Sequence, residues 1–158
     1  MARGGGYRVI DEPAPSRLSH LVVDPSFPLL AGMLGGFGFG VAWFILNAVG
    51  MGSATLRREA WVSALGVVLA AVGAGLVLAL QASSPSGGAT TIKLALLGLT
   101  LLKLAVLYVL QVTQAPSFAL HQHFGGQVRN GILPTIALAV LGPSLLRELP
   151  VLAVVVLR

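Results

Sequence analysis

Long stretches of apolar residues set the strongest limit on what this chain of 158 residues can fold into. A helix that crosses a bilayer needs about 20 predominantly apolar residues. Four segments reach that length: residues 28–51, 61–80, 91–113 and 131–157. The sequence therefore predicts an all-α integral membrane protein built as a four-helix bundle.

The composition supports the same fold class. Charged residues make up only 9% of the chain and hydrophobic residues 56%, whereas a soluble domain carries about 25% charged residues. The net charge of +5 is scattered and forms no basic stripe, so we do not expect nucleic-acid binding. The chain has no cysteine, which excludes disulfides and thiol catalysis.

The first 26 residues are polar and rich in Gly and Pro, so we expect a partly mobile tail without the apolar core of a signal peptide. Four spans would place both termini on one side of the membrane. The count of Lys and Arg residues then favours cytoplasmic termini, whereas the Arg57-Arg58 pair favours the opposite orientation. The sequence leaves these two orientations open.

The fourth segment is interrupted by two prolines and by a charged pair, Arg147 and Glu148. Proline removes a backbone donor and clashes with the preceding turn, so we expect a kink or a break near Pro143 or Pro150. Two alternatives remain. Either one kinked helix carries the charged pair near an interface, or a helix ends near Leu146 and a short apolar tail follows.

Small residues recur on the first two predicted helices. Gly32, Gly36 and Gly40 are spaced by four, which places them on one face of a helix. Gly66 and Ala70 form a similar face on the second predicted helix. Missing side chains allow backbones to approach closely in lipid, so we expect these faces to pack together as a glycine zipper.

Lys103 lies near the middle of the third predicted span, where a charge costs about 2.5–3.5 kcal/mol on insertion scales. It belongs to a polar stripe on one helical face. The stripe comprises Lys93, Thr100, Lys103, Gln111 and Gln114. We expect this face to turn away from lipid, towards protein or a wet cavity.

Asn47 lies near the end of the first predicted span and needs hydrogen-bond partners. It is either polar glue between helices or a ligand for a solute or ion, and the sequence favours the first role. Glu59 is one possible partner for Lys103. Side chains on helices lean towards the N-terminus, which works against Lys103 reaching Asn47 or Glu59.

Other motifs argue against an enzyme or a bound cofactor. His121 and His123 supply only two metal ligands, so no metal site is expected. Residues 117–124 read as a short interfacial helix ended by Gly125-Gly126. The sequence offers no pairing of a nucleophile with a base, no phosphate loop and no paired carboxylates.

Several glycines and one asparagine follow a pattern that can be compared with a known class. They are Gly35, Gly36, Asn47, Gly50 and Gly125-Gly126. In these positions the chain resembles small, uncharacterised bacterial four-span membrane proteins with a Gly-Gly-rich first helix. The resemblance covers most of Pro28 to Ala139. It implies a place in a bacterial cytoplasmic membrane and no established activity.

These observations lead to two functional hypotheses. The first is a non-enzymatic membrane protein: a scaffold, an accessory subunit or a homo-oligomer, with the lipid bilayer and other membrane proteins as partners. The alternative is a small transporter or channel for an anion or small polar solute that uses Lys103. A continuous polar pocket around Lys103 would favour transport, whereas dry packing would favour the scaffold.

Overall fold

The computed structural model describes residues 16–83 and 88–158. The predicted tail falls largely on residues 1–15, which lie outside these ranges. Six α-helices follow a short 3-10 helix at Ser19–Leu21. They are α1 (Ser26–Leu34), α2 (Phe37–Met51), α3 (Leu56–Ser83), α4 (Ala89–His123), α5 (Ile132–Arg147) and α6 (Val151–Leu157). The all-α prediction is confirmed, but the described part of the chain forms six helices where four were expected.

Two of the helices, α3 and α4, are long and apolar enough to cross a membrane. At 1.5 Å per residue they are about 42 and 52 Å long. They pack antiparallel: a methyl group at Gly66 would meet Val106 at 2.5 Å, and one at Gly73 would meet Leu99 at 2.9 Å. In this pairing Lys103 lies at the middle of both apolar stretches.

The first predicted span, residues 28–51, is not one helix. Its break falls at Gly36, where φ is 135°, a backbone conformation that L side chains rarely adopt and that no helix contains. The chain then folds back, and a methyl group at Gly40 would lie only 2.6 Å from the Gly32 Cα atom. The two helices α1 and α2 therefore form a hairpin that begins and ends at the same end of the molecule.

The glycine zipper with the second predicted helix is likewise not the observed packing. Gly32 and Gly40 face each other across the hairpin, and Gly66 packs on Val106 of α4. Ala70 is fully buried in the apolar core. The reason for the difference is the bend at Gly36, because a hairpin removes the single helical face on which the three glycines were placed.

The last predicted span is also divided. Helix α5 ends at Arg147, and Pro150 precedes the first residue of α6. This matches the alternative in which the helix ends near Leu146, while Pro143 lies within α5. Helix α6 turns back, and its C-terminal end lies beside the bend of the first hairpin, where a methyl group at Gly36 would meet the Leu157 carbonyl oxygen at 2.9 Å.

A second close contact joins the two divided segments. A methyl group at Gly142 of α5 would lie 2.5 Å from the Gly35 carbonyl oxygen, and one at Gly35 would lie 2.6 Å from the Leu138 carbonyl oxygen. Both positions therefore require glycine for the backbones to approach so closely.

Helix α4 is longer than predicted. It continues through Pro116 to His123, so the expected separate helix over residues 117–124 is the last part of α4. The chain leaves the helix at Gly125, where φ is 77°. The His121 ring lies under Gly126, and its Nε2 atom is 3.3 Å from the Gln127 carbonyl oxygen.

Candidate functional site

A buried carboxylate is the centre of the largest polar cluster in the described structure. Glu59, in the first turn of α3, is completely buried. Its Oε1 atom accepts hydrogen bonds from the hydroxyl groups of Ser53 at 2.8 Å and Thr55 at 2.6 Å. Its Oε2 atom accepts one from the side-chain amide of Gln114 at 2.6 Å. Ser117 extends the cluster, with its Oγ atom 3.0 Å from that of Ser53.

The side chain of Gln114 is fully engaged between three elements. Its amide nitrogen donates to the Phe44 carbonyl oxygen at 2.7 Å as well as to Glu59, and its carbonyl oxygen accepts from Asn47 at 3.0 Å. Both donors and the acceptor are used, so the orientation of this amide is fixed by its surroundings.

Asn47 connects this cluster to the chain before α1. Its Nδ2 atom donates to the Val23 carbonyl oxygen at 3.0 Å, and its Oδ1 atom accepts from the Val23 backbone N–H at 2.9 Å. This bidentate pairing closes the hairpin of α1 and α2 at its open end. We call Ser53, Thr55, Glu59, Gln114 and Asn47 the polar network, and the end of the molecule where they lie the network end.

The centre of the polar network is closed to solvent. Glu59 and Gln114 are inaccessible to solvent, and Asn47 is only 2% exposed. The donors on the carboxylate are neutral hydroxyl and amide groups. Burying a polar group is favourable only when it is hydrogen-bonded, and here each oxygen of Glu59 has a partner. These hydrogen bonds hold α2, α3 and α4 together.

Lys103 lies elsewhere, about 16 Å along α4 from Gln114. Its Nζ atom donates to the Val155 carbonyl oxygen at 2.5 Å. Val155 belongs to the last turn of α6, whose carbonyl groups have no partner within the helix. Lys103 therefore caps the C-terminus of α6 inside the bundle and pairs with neither Asn47 nor Glu59.

A cleft of about 420 Å³ opens beside this lysine. Its polar side chains are Lys103, Thr100 and Arg158, and most of its lining is apolar, including Met33, Phe37 and Leu107. Thr100 is exposed and its hydroxyl group donates to the Leu96 carbonyl oxygen of its own helix at 2.9 Å. The lining includes no carboxylate side chain.

The predicted polar stripe is therefore divided by the structure. Lys103 and Gln114 lie on the buried face of α4, Gln111 is half-buried, and Thr100 and Lys93 are exposed. Its two buried residues belong to two separate sites, Lys103 to the α6 cap and Gln114 to the polar network.

Asn47, Glu59 and Gln114 stood out separately in the sequence, but their meeting with Ser53 and Thr55 in one network was not predicted. Ser53 and Thr55 lie in the turn before α3, and Glu59 follows Thr55 by four residues. This is a local spacing at which side chains meet in a helical turn. A carboxylate just inside an apolar helix, preceded by two hydroxyl residues, was the available signal.

Comparisons of the chain with protein-family models, with curated proteins and with solved structures find no match.

Proposed function

We propose that this protein is an integral membrane protein with a non-enzymatic, architectural role, as a scaffold or an accessory subunit whose outer faces contact lipid and other membrane proteins. One observation carries the proposal: the apolar residues of α3 and α4 lie largely outside the packed core. Only 28% and 22% of their most apolar windows are buried. A core helix of a soluble protein would be mostly buried.

The exposed residues are large and numerous. Leu65, Val72 and Leu76 on α3 and Leu94 and Leu97 on α4 are each more than half exposed. Exposed apolar patches of this extent are rare on soluble monomers and mark membrane or protein contacts. The polar side chains of Asn47, Glu59 and Gln114 point into the molecule instead, which is the arrangement that a lipid solvent favours.

Carbonate extraction of membranes that contain the full chain tests the membrane placement. We expect the protein to stay in the membrane fraction, and its release into the soluble fraction would contradict the proposal. Cross-linking in native membranes, followed by identification of the linked proteins, tests the architectural role. A reproducible partner or a homo-oligomer supports that role.

A small transporter for an anion is the second candidate, and the Lys103 cleft is the observation that favours it. Divided helices whose ends meet at mid-depth are the usual frame of solute sites in transporters. Here α6 ends beside Lys103 and the bend at Gly36 lies next to it, in a cleft with cations and no carboxylate side chain.

Labelling separates the two candidates. The chain has no cysteine, so a cysteine placed at Thr100 is the only target for a water-soluble maleimide. Labelling in native membranes, together with its suppression by small anions, supports transport. Failure to label, with quenching of a probe at this position by lipid-chain quenchers, favours the architectural role.

A further inference from the structure

A second cleft, of about 580 Å³, lies at the network end and is separate from Lys103 and from the carboxylate of Glu59. Its walls are apolar and come from the chain before α1, from α2 and from the start of α5. The lining residues that matter below are Val23, Trp43, Asn47, Arg129 and Leu133. A cleft of this size with apolar walls and few polar groups has the composition of a ligand site.

The polar groups of this cleft are gathered at one rim. Among the residues that the structure describes, Arg129 is the only cationic side chain in the lining, and no carboxylate side chain belongs to it. The backbone N–H of Arg129 donates to the Val22 carbonyl oxygen at 2.7 Å. Val23 is in turn hydrogen-bonded to Asn47, so the backbone of Arg129 is linked to the polar network. The backbone of Arg129 is thus hydrogen-bonded to the chain before α1, while its side chain is exposed.

The position of the rim matches the surface of a bilayer. If the membrane is centred on Lys103, Gln114 and its partner Asn47 lie about 16 Å from the centre, which is where a hydrocarbon core of about 30 Å ends. Trp43 lies about one helical turn deeper, roughly 10 Å from the centre, and is half-buried in the apolar part of the cleft wall. Leu133 is 79% exposed on the opposite wall, so the cleft opens towards lipid.

We propose that this cleft binds one anionic phospholipid, with an acyl chain between Trp43 and Leu133 and the phosphate group at Arg129. The inference rests on the proposed membrane placement. Charge selects the occupant: a basic pocket between membrane helices at the interface binds anionic head groups, and a zwitterionic lipid offers Arg129 no net charge. The apolar walls select a lipid over a free phosphate.

The two tryptophans of the chain, Trp43 and Trp61, allow a direct test. The Trp61→Phe variant leaves Trp43 as the only tryptophan, inside the cleft. The protein is reconstituted in phosphatidylcholine with a small fraction of brominated phosphatidylglycerol or, in parallel, of brominated phosphatidylcholine. We expect the anionic brominated lipid to quench Trp43 much more strongly than the zwitterionic one.

Arg129→Gln in the same background should lower the apparent affinity for the anionic lipid about fivefold, the effect of one basic residue at the surface. Arg58→Gln is the matched control, because Arg58 is an exposed arginine at the same end outside the cleft. It should leave the selective quenching unchanged. Equal quenching by both lipids, or an equal effect of the two substitutions, would overturn the proposal.

Two further arms separate the possible failures. Excess glycerol phosphate should not relieve the quenching, and if it does, the site binds a free phosphate group and the proposal is wrong. The Trp43→Phe variant reports from Trp61, which is 68% exposed and should be quenched by bulk brominated lipid. Absence of that quenching would refute the membrane placement itself, whereas quenching of Trp61 without selectivity at Trp43 would refute only the lipid site.

Discussion

The two long helices and the two divided segments satisfy their backbone hydrogen-bonding groups in different ways. Helices α3 and α4 satisfy their backbone groups internally over 28 and 35 residues and expose apolar faces outside. The pairs α1–α2 and α5–α6 end within the bundle, where the orphan groups at helix termini need partners. Lys103 supplies one such partner to Val155. The charged side chain of Lys103, on the long helix α4, therefore serves to cap the neighbouring helix α6.

This comparison also changes the expected topology. Because the first hairpin returns to its starting end, Arg17, Arg57, Arg58 and Arg129 all lie at the network end. Cationic residues favour the cytoplasmic side, so Arg17 and the Arg57-Arg58 pair no longer favour opposite orientations in this arrangement.

The largest expected effect is an all-or-none labelling pattern. Single cysteines at Ala54 and at His20 should react from the same side of the membrane with an impermeant maleimide, because the hairpin does not cross. We expect both to be cytoplasmic. A true span over residues 28–51 would place the two cysteines on opposite sides and would contradict the hairpin. The naturally cysteine-free chain serves as the unlabelled control.

The next largest effect is expected from overpacking, which should lower stability in the divided segments and be tolerated on the long helices. Gly142→Leu would force a side chain against the Gly35 backbone, and overpacking of this kind costs about 1–3 kcal/mol or more. A methyl group at Gly98 of α4 meets nothing within 4 Å, so Gly98→Leu is the matched control and should be tolerated. Thermal unfolding in detergent measures both. Equal stability of the two variants would show that α1 and α5 do not touch.

A substitution at Gly36 tests directly whether the first segment bends there. Any L side chain is strained at its φ of 135°, so Gly36→Ala should be destabilising by at least about 1 kcal/mol. On a regular helix the same change would be stabilising. The sign of the change in melting temperature therefore distinguishes a bend from a helix at this position.

The polar network should respond to the loss of its carboxylate by a smaller amount than a backbone clash. Glu59→Leu leaves one amide donor of Gln114 without an acceptor, at about 1–3 kcal/mol, whereas the hydroxyl groups of Ser53 and Thr55 keep each other and Ser117 as partners. Glu59→Gln keeps one acceptor and should cost less. Ser63→Ala is the control, because the buried hydroxyl group of Ser63 has no hydrogen-bond partner among the described residues. Its removal leaves no group unsatisfied and should not destabilise the protein in the same unfolding assay.

The smallest effect is expected at the α6 cap. Lys103→Met removes the donor to Val155, at a cost of about 0.5–1.5 kcal/mol offset by the relief of a buried charge. Hydrogen exchange of residues 151–157 should rise while exchange in α3 stays unchanged. Lys103→Arg keeps a donor and should restore protection. Unchanged exchange in the methionine variant would show that α6 is held by its apolar contacts alone.

How much of this could be predicted from the sequence depended on the kind of signal. The stretches of α3 and α4 are long and predominantly apolar and contain no proline before Pro116, so hydropathy located both helices. Residues 28–51 give an equally long apolar run, and hydropathy cannot distinguish one span from two half-length helices. The glycine at 36 permits a bend without requiring it, and only the contacts of Gly35 with α5 determine the outcome.

The candidate sites also combine features that the sequence pattern reveals with features that depend on tertiary contacts. Lys103 is buried and donates to a backbone carbonyl group on α6, a partner that no pattern of side chains reveals. Asn47 signalled a need for partners and was predicted as glue between helices. Those partners are the Val23 backbone and Gln114, which come together only once the hairpin has closed.

The hairpin also sets an order of events during synthesis. Gly32 packs against Leu107, and Gly35 packs against Leu138 and Gly142, so the residues that support α1 leave the ribosome long after α1 itself. Until then, helices of 9 and 15 residues must wait without their final neighbours, although domains are generally made from the N-terminus onward. Residues 28–51 would therefore reach their final arrangement late, which makes the first segment of the chain among the last to fold.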